Sequence, residues 1–104
     1  MFIKKLPDWL VASFRVALLG EIYPNIRAVA VGYDGDSQLC IRYYLDREET
    51  DFDIESIEVM ATNLETTITE KIITNINLKG MFASGLQRNL EALSGFVYAR
   101  REYC

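Results

Sequence analysis

The chain has 104 residues, half of them hydrophobic and a quarter charged, enough to bury one core without disulfide or metal staples. It has no histidine, which removes the commonest general base and the commonest zinc ligand and counts against an enzyme. Its net charge of −4 hides a division: residues 34–70 hold eleven carboxylates and two arginines, while the remainder is net basic, the reverse of what a phosphate-tracking surface needs and an argument against direct nucleic-acid binding.

Lys4 and Lys5 ahead of the apolar run Trp9 to Leu19 imitate a secretion signal. The imitation fails because Pro7-Asp8 breaks the entry, Arg15 interrupts the run and no small-residue cleavage site follows. The run is also shorter than the roughly 20 apolar residues a membrane helix requires. The expectation is a cytoplasmic protein with no membrane contact. A helix is predicted from Pro7 or Asp8 to about Gly20 or Ile22, with Leu10, Phe14, Ala17 and Leu18 as its core stripe. Val11, Val16 and Leu19 widen that stripe, so this helix is buried on two sides or offers a second contact surface.

Asn25 to Tyr33 is rich in β-branched residues and apolar on both faces after Arg27, the pattern of a strand well inside a sheet. Asp34-Gly35 signals a turn. Gln38 to Leu45 returns in alternation, with Leu39, Ile41, Tyr43 and Leu45 on one face and Cys40, Arg42 and Tyr44 on the other. Cys40 in this strand and Cys104 at the last position read as reduced thiols, since bridging them would tie the chain end to mid-sheet.

The next stretch, Leu45 to Glu58, carries Asp46, Glu48, Glu49, Asp51, Asp53, Glu55 and Glu58 against one cation, Arg47. Thr50 is a helix cap with Asp53 as the capping-box acid, and Ile57, Met60, Ala61, Leu64 and Ile68 make a helical stripe to about Thr69. The helix dipole accounts for Asp51, Asp53 and Glu55 in the first turns, at about 0.3–1 kcal/mol each. It does not account for Asp46, Glu48 and Glu49, which precede the helix. Lys71 to Leu78 reads as a third strand, Ile72, Thr74, Ile76 and Leu78 inward and Ile73, Asn75 and Asn77 outward. One helical turn on Leu86, Leu90 and Leu93 and a last strand from Phe96 to Tyr103 complete the order α-β-β-α-β-β. The expected fold is one α+β domain over residues 1–104: a two-layer sandwich with a four-stranded, mainly antiparallel sheet and both helices on one face.

Three chemistries compete for the acidic stretch. A calcium loop needs a Gly at its sixth position; counted from Asp46 the sixth is Asp51, so no specific metal site is expected. Acid–base catalysis needs two carboxyls in a cleft with separated pKa values, which exposed, mutually repelling acids do not provide. No histidine is present to activate a serine, and no phosphate loop or cofactor motif is found. The third chemistry is recognition of a basic protein, with carboxylates standing in for phosphates and nearby rings for bases. Against it stand the solvated acidic face and an internal network with Arg27, Arg42, Arg100 or Arg101.

The blocks Leu19 to Val29, Ile41 to Glu48 with Asp51-Phe52 and Glu55 to Val59, and Gly95 to Glu102 resemble a family of small bacterial immunity proteins paired with toxins of contact-dependent growth inhibition systems. The resemblance spans most of the chain and is weakest from Lys79 to Ser94. It implies a cytoplasmic, non-enzymatic protein, without cofactor, that neutralises a cognate toxin domain, a nuclease. The expected contacts are Asp46, Glu48, Glu49, Asp51 and Asp53, extended by Glu55 and Glu58, with Tyr44 and Phe52 as aromatic neighbours that a core would claim equally well. The alternatives are a homo-oligomeric scaffold using the wide first helix or a sheet edge, and a small-molecule or metal-responsive domain.

Overall fold

The computed structural model describes residues 1–102. Helix α1 spans Asp8–Ala17, entered from an extended Pro7 whose carbonyl accepts the N–H groups of Leu10 and Val11. Asp8 sits in its first turn against the positive end of the dipole. Leu10, Phe14 and Ala17 are buried, each large side chain contributing about 1.5–3 kcal/mol of transfer free energy. The helix stops earlier than its apolar pattern predicts, because Leu18 closes it and Gly20, at φ 76°, turns the chain.

Strands β1 (Ile26–Tyr33) and β2 (Gln38–Leu45) pair antiparallel, as their patterns predict. Their connection is longer than a two-residue turn. The Asp34 carboxylate accepts the N–H groups of Asp36, Ser37 and Gln38 at 2.8, 3.0 and 3.1 Å, and Gly35 adopts φ 88°. These N–H groups hold the Asp34 carboxyl below its usual range. Every residue of β1 is buried, as befits a strand with neighbours on both sides.

Helix α2 (Asp51–Thr67) begins at Thr50 with the expected capping box. It carries the chain across the sheet face that α1 also covers, and β3 (Asn75–Phe82) returns beside β2. A strand–helix–strand crossover brings the second strand back in the same direction, so β2 and β3 are parallel. The sheet is therefore mixed: β2–β1 and β1–β4 are antiparallel, and β2–β3 is not. The strand order is β3-β2-β1-β4, with β4 at Gly95–Ala99.

β3 starts four residues later than the apolar pattern suggests, since Asn75 is the residue that registers with Gln38. Ile72 is 83% exposed instead of inward, and Ile73 packs against the core. Ile76 and Leu78 do face the core.

From β3 at one edge the chain must reach β4 at the other, and it does so under the face opposite the helices. Ala83, Leu90 and Leu93 pack there on Ala28, Ala30 and Tyr44, with one 3-10 turn at Gln87–Asn89. The passage between Lys79 and Ser94 thus closes the second face of the sheet. Both helices lie on the first face, whose core joins Leu10 and Phe14 to Val29, Val31, Ile41, Tyr43, Met60 and Leu64. β4 ends at Ala99; Tyr103 and Cys104 lie outside the described residues, and Cys40 is a half-buried free thiol.

Candidate functional site

The acidic stretch divides into a buried part, a balanced part and an unbalanced part. Asp53 is the buried part. As the third residue of α2 it accepts from the Thr50 N–H at 2.8 Å and the Thr50 hydroxyl at 2.9 Å, while the Thr50 oxygen accepts the Asp53 N–H at 3.4 Å. Its other partners are the Arg47 guanidinium, which holds it in a two-pronged ion pair, and the Tyr23 hydroxyl. Burial alone would push this carboxyl up, but the donors from Arg47, Tyr23 and Thr50 outweigh it and hold Asp53 well below the usual range. Tyr23 is pushed the other way, by burial first and then by donating to a carboxylate. Asp53 has no exposed surface, so the expectation that it touches a partner is corrected: it fastens the start of α2 to the chain before it.

Asp46 belongs to the balanced part. It accepts from Asn25 at 3.0 Å and from Arg100 at 2.8 Å, which together hold its carboxyl low. Arg100 also reaches Glu102 at 3.0 Å, and Glu102 grips the buried Arg27 through two bonds of 2.7 and 2.8 Å. Arg27 donates further to the Ala83 carbonyl at 2.7 Å. Two strands and the crossing segment meet at this corner. Of the arginines that the sequence offers as internal partners, Arg100 pairs with the acidic stretch at Asp46, while Arg27 pairs with Glu102 and Arg42 with Glu91 at 2.9 Å.

Glu48, Glu49, Asp51, Glu55 and Glu58 form the unbalanced part. All five are exposed, and among the described residues none of them makes an ion pair. They occupy the approach to α2 and the outer side of its first two turns. Apolar surface lies between them: Phe52 is 60% exposed and stacks edge-on to Tyr23, with Ile54 and Val59 at 45% and 43%. Glu49 leans across the sheet, its carboxylate filling the space that a β-carbon at Gly80 would need.

Tyr44 is not part of this surface. It is buried on the opposite face of the sheet, its hydroxyl donating to the Glu91 carbonyl at 2.7 Å and its ring beside Phe96. The alternation of β2 already sets Tyr44 apart from Tyr43; the segment that covers it carries no comparable signal. Among the described residues no group of three or more His, Cys, Asp or Glu side chains is arranged to hold a metal ion, and no helix is long and apolar enough to cross a membrane.

An α+β domain that leaves one strongly acidic, partly apolar flank unbalanced beside a free sheet edge has the make-up of a protein-binding module. More specifically, the chain belongs to the MafI2 immunity protein family, whose model matches residues 7–102. It is thus a toxin-immunity protein, and its partner is a toxin protein. No curated protein matches the chain significantly. The family match runs through residues 79–94, where the blocks of resemblance are weakest.

Proposed function

We propose that this immunity protein acts without catalysis, in the cytoplasm, by binding a basic nuclease domain of a contact-dependent growth inhibition toxin through the acidic flank of α2. One observation carries the reading: Glu48, Glu49, Asp51, Glu55 and Glu58 stand exposed without an ion pair among the described residues, although neighbouring acids are matched to arginines. Concentrated like charge costs self-repulsion, which the fold has relieved at Asp46 and Asp53 and left in place on the flank. A basic nuclease surface would relieve it. Long-range attraction of this kind raises association to about 10⁸–10⁹ M⁻¹s⁻¹ at low salt. Phe52, Ile54 and Val59 supply apolar area between the charges.

The test uses the toxin domain encoded in the adjacent reading frame and the doubly reversed variant Glu48→Lys/Glu49→Lys. The variant weakens binding at least about tenfold, equivalent to about 1.4 kcal/mol, and flattens the dependence of affinity on salt. Unchanged affinity and an unchanged salt slope would remove the flank as the contact. A second reading, a homo-oligomer formed through α1, rests on Val16 in its last turn and Leu19 just past its end, which are 54% and 75% exposed. Sedimentation of the purified chain separates the two: a stable dimer favours α1.

A further inference from the structure

We infer that the toxin docks by adding a basic strand to the free edge of β3, alongside the acidic flank; this rests on the toxin-binding reading above. β3 is eight residues long and lies at the end of the sheet order. Its hydrogen bonds to β2 fix which of its backbone groups are spent. The Asn75 N–H donates to the Ser37 carbonyl and the Ala83 N–H to the Leu45 carbonyl. Because N–H and C=O groups alternate sides along a strand, the odd-numbered residues of β3 face β2. Those of Ile76, Leu78, Gly80 and Phe82 point away from the sheet, where an incoming strand can meet them. An exposed row of this length is a template for strand pairing, and natural proteins commonly blunt such edges with bulges or proline. β3 registers with β2 without a shift and contains no proline.

The chemistry of the occupant follows from what lies above that edge. Between α2 and β3 runs a groove lined by Glu49, Ile54, Ile57, Glu58, Leu78, Lys79 and Gly80, so two carboxylates face one cation there. Residues paired across neighbouring strands point to the same face, so side chains opposite Leu78 and Gly80 would enter this groove. Lysine or arginine suits those positions: the aliphatic stem lies on Ile54, Ile57 and Leu78 while the cation reaches Glu49 or Glu58. Gly80 is what allows the Glu49 carboxylate to lie over the edge at all. The occupant is therefore an extended segment of the partner with basic residues at alternate positions.

A second copy of β3 does not fit. By alternation its side chains opposite this groove would be Ile76, Leu78, Gly80 and Phe82, none of which is cationic. It would instead bring another Glu49 and Glu58 against the first pair.

Amide hydrogen exchange followed by NMR on the full ¹⁵N-labelled chain, with and without the adjacent-frame toxin domain, reads the alternation directly. Free chain is expected to protect Asn77, Lys79 and Met81 and to exchange Leu78 and Gly80 rapidly; bound chain protects both sets, with exchange at Leu78 and Gly80 slowed at least about tenfold. Glu49→Lys/Glu58→Lys, checked for retained protection at Asn77 and Lys79, raises the dissociation constant at least about tenfold. Binding that leaves Leu78 and Gly80 exchanging as before overturns the strand inference and spares the toxin reading. Absence of any binding overturns both. Protection of Leu78 and Gly80 that rises with concentration in the free chain assigns the edge to a second copy and overturns the basic occupant.

Discussion

At the corner where β1 and β4 run out beside the end of β2, Asp46 and Glu102 face Arg27 and Arg100, and every carboxylate has a guanidinium within hydrogen-bonding distance. On the nearby flank of α2, Glu48, Glu49, Asp51, Glu55 and Glu58 face solvent. The same kind of side chain serves two ends. Acids matched inside the chain join distant segments, here residues 25, 27, 46, 83, 100 and 102. Acids without an ion pair join no distant segments; Asp51 meets only the dipole of its own helix, at about 0.3–1 kcal/mol.

The sharpest way to test that division is Asp53, which lies on the acidic stretch by sequence and in the interior by structure. Asp53→Ala is expected to destabilise the protein by about 3 kcal/mol, the lower end for breaking a buried ion pair, because Arg47 keeps access to water. Denaturant unfolding measures it, and a loss below about 1 kcal/mol would return Asp53 to the surface class.

Glu102→Ala comes next. It strips the buried Arg27 of two charge-assisted hydrogen bonds while the Ala83 carbonyl remains, an expected loss of about 2 kcal/mol. Toxin affinity should stay within about threefold, a difference of under about 0.7 kcal/mol. On the flank the pattern inverts: Glu48→Lys/Glu49→Lys leaves the unfolding free energy within about 0.5 kcal/mol of the original while binding falls. A flank reversal that unfolds the chain, or a corner deletion that spares it, would blur the two regions into one.

Acid supplies the gentlest probe. Asp53, Asp46 and Glu102 are held low in the fold by their donors, whereas an unfolded chain's carboxyls titrate near 4. Their contribution is thus complete above that value and fades as the pH falls through the lowered folded values. The wild-type melting temperature should drop steadily from about pH 4 toward pH 2. Asp53→Asn, less stable at neutral pH, should show a shallower decline, and parallel curves would remove Asp53 as the main acid-sensitive group.

Much of this arrangement is legible in the residues alone. The β1–β2 hairpin follows from alternation and from Asp34-Gly35, and the start of α2 from Thr50 and Asp53, because in each case the deciding contacts are a few residues apart. The start of β3 is not legible. Ile72-Ile73 looks as strand-like as Ile76 and Leu78, and only pairing with Ser37 and Gln38, some 35 residues earlier, sets the register. The direction of β3 is implicit in the order strand–helix–strand, which weighs more than the antiparallel hairpin before it. For the site, charge counting picks out the acidic stretch but cannot separate Asp53 from its neighbours. A capping acid becomes a buried one only when Arg47 and Tyr23 close over it.

The strand order sets a schedule for assembly. The two central strands are joined by a four-residue connection and can meet early, since short loops cost little entropy to close. The outer pair must wait: β3 needs α2 completed, and β4 reaches β1 only after the chain has passed beneath the whole sheet. A ribosome-bound fragment ending near residue 80 would therefore hold the middle of the sheet without the full edge that we assign to the toxin, so capture of toxin along that edge would begin only with chains synthesised past β3.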